Sequence, residues 1–149
     1  MTLRSLLSLV ILMHLAPLVA RADDAADARK LNGVWKGWVV EGTGDDPKQR
    51  RLSIELTIKG NTITGLQDGS KDLGTGTYTV KSTRDGKQLD ATRTRDTPGM
   101  PKGTYLGIYS LEGDTLKWCV GNPPGSKRPT ELRSKTGQFL MILTRQKEK

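Results

Sequence analysis

Arg51-Leu52-Ser53-Ile54-Glu55-Leu56-Thr57-Ile58-Lys59, followed by Gly60-Asn61 and Thr62-Ile63-Thr64-Gly65-Leu66-Gln67, decides the fold class. Leu52, Ile54, Leu56 and Ile58 alternate with Ser53, Glu55, Thr57 and Lys59. A period of two marks a strand with one face buried and one in water. Gly60-Asn61 is the residue pair of a tight hairpin turn, so the two segments pair antiparallel.

The same pattern extends in both directions. Upstream, Val34 to Glu41 reads as a strand that ends at Gly42-Thr43-Gly44-Asp45-Asp46-Pro47. Downstream, strands are expected over Gly74 to Ser82, Gln88 to Arg95, Thr104 to Leu111, Thr115 to Val120 and Gln138 to Arg145. Asp68-Gly69-Ser70, Arg84-Asp85-Gly86 and Glu112-Gly113-Asp114 supply turns. Thr97-Pro98-Gly99-Met100-Pro101 carries two prolines and reads as a loop, and Gly121 to Pro129 reads as a longer one. Eight short strands with regular punctuation predict an all-β domain. An antiparallel up-and-down barrel and a β-sandwich both satisfy that pattern, because local alternation does not report which strands close the sheet.

The chain has 149 residues, a length that suits one domain. Its start has a different composition. Arg4 precedes an apolar run from Leu6 to Val19, and Ala20-Arg21-Ala22 follows. This is the layout of a secretory signal peptide, expected over 1–22. The run is too short for a transmembrane helix, so no stable membrane anchor is expected after cleavage. Residues 23–30 read as a flexible leader or a short helical turn, 31–146 as the barrel domain and 147–149 as a tail. Cleavage after Ala22 removes Arg4 and Arg21, leaving 22 basic residues against 16 acidic ones, a net charge of +6. The location implied is periplasmic or extracellular.

Cleavage also removes His14, the single histidine. Catalytic triads that use histidine as base are then unavailable. Zinc sites built from histidine and cysteine are unavailable too, since Cys119 is the one cysteine. It cannot form an intramolecular disulfide and is expected to be buried and inert. No pair of carboxylates is singled out as a catalytic couple. The chain is expected not to be an enzyme, and no cofactor or metal site is expected.

Three further groups of residues carry possible function. Tyr78, Tyr105, Tyr109 and Trp118 would line the cavity of a ligand-binding barrel, with a small hydrophobic ligand as partner; the competing reading is that they fill the core. Basic residues gather at Lys48, Arg50 and Arg51, at Lys127, Arg128, Arg133 and Lys135, and at Arg93 and Arg95, which share one strand face. Interspersed acids favour a solvated surface for these, and no nucleic-acid partner is expected. Arg128, in Arg128-Pro129-Thr130-Glu131, is expected to pin its loop by pairing with a carboxylate or a backbone carbonyl. A packed-core domain acting through its loops or basic face is the alternative to a ligand carrier.

Gly33-Val34-Trp35 at the first strand resembles the G-x-W motif of lipocalins and related calycins. In that group the tryptophan plugs the closed barrel end and a basic residue of the last strand packs across it. The resemblance thus implies structural roles for Trp35 and for Arg145, in Leu143-Thr144-Arg145. A guanidinium over an indole is a cation–π contact worth roughly 0.5–2 kcal/mol. Leu106-Gly107-Ile108-Tyr109, Leu111 to Lys117, Cys119, Arg128 to Glu131 and Leu140 to Arg145 occur in that order. This series resembles a planctomycete-type family of small exported lipocalin-like domains of unknown function. The likeness covers about residues 31 to 146 and implies a single eight-stranded lipocalin-like barrel. Trp118 stands where that family places a smaller aliphatic residue, which implies a differently filled interior.

Overall fold

The computed structural model describes residues 16–40 and 51–147, with side chains from 23–40 and 52–147. The apolar run before residue 16, the loop at 42–47, and Lys48 and Arg50 lie outside the described residues. A helix, α1 (Ala16–Leu31), is followed by strands β1 (Gly33–Val40), β2 (Arg51–Lys59), β3 (Thr62–Gln67), β4 (Lys71–Thr83), β5 (Gly86–Arg93), β6 (Gly103–Tyr105), β7 (Gly107–Glu112), β8 (Thr115–Gly121) and β9 (Gln138–Arg145).

Every neighbouring pair is antiparallel, and the sheet closes on itself. The order runs from β1 through β2, β3, β4 and β5 to β6 and β7, then β8 and β9, and β9 returns to β1. In β2 the alternation works as the sequence predicts: Ile54, Leu56 and Ile58 are buried, whereas Ser53 and Thr57 are exposed. β1 pairs with both β2 and β9, and β4 with both β3 and β5, so no sandwich edge exists there. The structure is a closed eight-stranded antiparallel barrel of lipocalin-like form, in which one wall strand is split in two.

That split departs from the continuous strand expected over Thr104 to Leu111. β6 and β7 pair with β5 in one common register and are interrupted at Leu106. The cause is Trp118, whose indole N–H donates to the Leu89 carbonyl at 3.1 Å. Gly107 lies opposite Leu89 in that register, and its amide donates instead to the Asp90 carboxylate at 3.1 Å. A Cβ on Gly107 would stand 2.4 Å from the indole nitrogen and 2.7 Å from the Leu89 oxygen, so the indole fits only against glycine.

The segment 23–30 forms the second half of α1 and is docked on the barrel. Asp24, Asp27, Ala28 and Leu31 lie on one helical face at spacings of three and four. The Asp24 carboxylate accepts the Ser82 amide at 2.6 Å, and the Ala28 carbonyl accepts the Tyr78 hydroxyl at 3.4 Å. Leu31 is wholly buried. α1 therefore covers the barrel end at which the short turns 60–61, 84–85 and 113–114 lie.

The opposite end carries the longer connections, including 94–102 and 122–137. The latter folds back over the outer wall, where Val40, Cys119 and Leu140 form a second buried cluster with Leu132 against it. Cys119 is fully buried there, and burial pushes its thiol pKa up. Within the barrel the main core runs from Leu31 and Trp35 to Trp118 and Met141.

Candidate functional site

At the end away from α1, the barrel interior holds a cavity of about 200 Å³. Its wall is mainly apolar, built by Leu56, Leu73, Met100, Trp118, Phe139 and Met141 among others. The space exists because β3 and β4 turn glycines towards it: Gly65, Gly74 and Gly76 contribute no side chain. An eight-stranded barrel has an interior just wide enough for side chains to fill. Three adjacent wall positions without side chains leave it partly hollow.

The four aromatic residues expected to line a cavity divide between the two ends. Tyr105 and Trp118 stand in the cavity wall. The Tyr105 hydroxyl donates to the Pro101 carbonyl at 2.8 Å, which ties the wall to the 94–102 loop. Burial raises the Tyr105 pKa, Arg93 opposes that and Asp96 adds to it. Tyr78 and Tyr109 belong instead to the end under α1. The Tyr78 hydroxyl donates to the Gly60 carbonyl at 2.9 Å, and the Tyr109 hydroxyl to Asp27 at 3.4 Å. Burial and the neighbouring Asp27 carboxylate push the Tyr109 phenol far above its ordinary pKa. Both tyrosines hold the helix and stay out of the cavity.

Trp35 and Arg145 sit at the closed end. Trp35 is wholly buried, its indole N–H donates to the Leu31 carbonyl at 2.8 Å, and the Arg145 guanidinium lies 4.2 Å from its ring centroid. Arg145 also donates to the Lys30 and Asn32 carbonyls. A cation and an indole donor therefore satisfy the carbonyls at the C-terminus of α1, where the helix dipole is negative. Arg128 does both things its sequence context allows. It forms a bidentate pair with Asp90, one arm at 2.9 Å, and donates to the Gly107 carbonyl at 2.6 Å. This clamp fixes the 122–137 connection outside the break between β6 and β7.

Arg93 departs from the solvated face expected for it. It follows Leu89 and Ala91 at the inward positions of β5 and lines the cavity. One guanidinium nitrogen donates to the Thr97 hydroxyl at 2.6 Å. Its Nε is buried and has no hydrogen-bond partner. Among the described residues Arg93 is the one charged side chain in the wall. The sequence carried a signal for this, since Leu89, Ala91 and Arg93 share the parity of a buried face.

Among the described residues, no cluster of histidine, cysteine, aspartate or glutamate is arranged to hold a metal ion, and no helix is long and apolar enough to cross a membrane. A scan against protein-family models and searches of the curated proteins and of the solved structures found no match.

Proposed function

We propose that this protein is an exported carrier, a member of the planctomycete-type lipocalin-like family, that holds a small and mainly apolar ligand inside its barrel. It performs no catalysis and works in the periplasm or outside the cell. The observation that carries this reading is the apolar cavity of about 200 Å³ at the end opposite α1. Ligand sites are typically concave, mostly apolar and supplied with a few placed polar groups, and Tyr105 and Arg93 are such groups here. The leader over 1–22 supports export, since its short apolar run and small residues at 20 and 22 suit a signal peptidase.

The test is native mass spectrometry of the mature protein purified gently from its own cell envelope, compared with the same sample denatured. A mass excess that disappears on denaturation is the expected result, and its size identifies the ligand class. The bare mass in both samples would overturn the carrier reading in favour of a domain that acts through its loops.

A further inference from the structure

Arg93 raises a problem that the rest of the cavity does not solve. The side chain is half-buried, but its Nε is shut off from water, and a buried N–H without an acceptor is destabilising. Among the described residues no carboxylate lies within ion-pair distance of this guanidinium. Asp72 accepts the Gly74 amide at 2.6 Å and Asp96 the Lys102 amide at 2.8 Å, and neither pairs with Arg93. Thr97 supplies a neutral oxygen on one side, and the buried Nε has no acceptor.

We infer that the cavity binds a small monocarboxylate, its carboxylate on the Arg93 guanidinium and its apolar body against Trp118, Phe139 and Met141. This rests on the carrier reading and specifies its ligand. The charge argument selects a monoanion, because one guanidinium with no second cation in the described wall balances one negative charge. The planar guanidinium fork matches the oxygens of carboxylate and phosphate alike, and the single charge to be balanced selects the carboxylate. The volume sets the size. An apolar cavity of about 150 Å³ holds benzene. The cavity here, about 200 Å³, therefore suits one ring or a short acyl chain with its acid group, on the order of ten non-hydrogen atoms.

Octanoate and 1-octanol share this size and differ in the charged group. Titration of each into the mature protein at pH 7, followed by tryptophan fluorescence, reads binding through Trp118 in the wall. Octanoate is expected to bind about tenfold or more tightly than octanol, the usual advantage of a charged hydrogen bond. In Arg93→Gln, checked for folding by circular dichroism, octanol affinity is expected to persist and the preference for octanoate to vanish. Arg93→Lys should keep part of it. Equal wild-type affinities would overturn the inference without any variant, as would a preference that survives in Arg93→Gln; either result leaves the carrier reading standing. Failure of the wild type to bind either compound would overturn both.

Discussion

Trp35 joins three parts of the molecule through a single side chain. Its ring fills the closed end, its N–H caps α1 at Leu31, and its face carries the Arg145 guanidinium of β9. Trp35→Ala should therefore cost about 3–5 kcal/mol in denaturant unfolding, the range for removing a large buried aromatic. A loss under about 1 kcal/mol would mean that the ring contributes like a surface residue. The Trp35–Arg145 pair was legible through the resemblance to the calycin G-x-W motif, with the arginine at the end of the last strand that the alternation locates. Arg93 was not read as an inward residue because a charged side chain at a strand end is ordinarily solvated. Parity with Leu89 and Ala91 was the signal, and it competed against composition.

Elements built on side-chain alternation were legible nearly to the residue: β2, β3 and β9 begin and end where the hydrophobic pattern places them. α1 was less legible because its docked face, Asp24, Asp27, Ala28 and Leu31, contains two acids and a single large apolar residue. No periodic apolar stripe announces such a face. It is held by polar contacts that depend on distant strands, such as Lys87 on β5, whose ammonium lies 2.5 Å from Asp27. Burial alone would raise the Asp27 pKa, but the hydrogen bond and charge of Lys87, with Lys30 and Tyr109, hold it below its ordinary value. The unfolded chain then binds a proton more readily than the folded one. The stabilisation is present above the unfolded pKa of about 3.9 and is lost as pH falls through the lower folded value. Asp27→Asn should cost about 1–2 kcal/mol at pH 7. The gap between wild type and variant should close as urea unfolding is repeated at successively lower pH below 4. A gap independent of pH would show that Asp27 contributes through packing alone.

At the scale of the whole molecule, closure leaves each wall segment dependent on partners on both sides. β1 pairs with β9 across the length of the chain, so neither end of the domain has a complete sheet without the other. Thermal unfolding followed by far-UV circular dichroism and by tryptophan fluorescence should give coincident transitions, as a cooperative single domain does. Two separated transitions would mean that α1 and the closed end unfold independently of the open end. The ring closure was legible only through the lipocalin-like resemblance, because alternation shows which face is buried and not which strands meet. The hollow was not legible, although Gly65, Gly74 and Gly76 at wall positions were its trace. These glycines differ in what they would tolerate. A methyl group on Gly65 would stand 3.3 Å from Leu56 Cδ2 and Leu73 Cβ, a contact that asks both leucines to give by a few tenths of an ångström. On Gly76 it would lie 2.4 Å from the Thr92 carbonyl oxygen, and Gly74 has a φ of +81° that other residues rarely adopt. Of the three, position 65 is therefore the mildest place to reduce the hollow, while Gly74 and Gly76 act as fixed stops. Descendants of this sequence, or a protein engineer, would narrow the hollow there first, by the one methyl group of an alanine, at the least disturbance to the frame of the barrel.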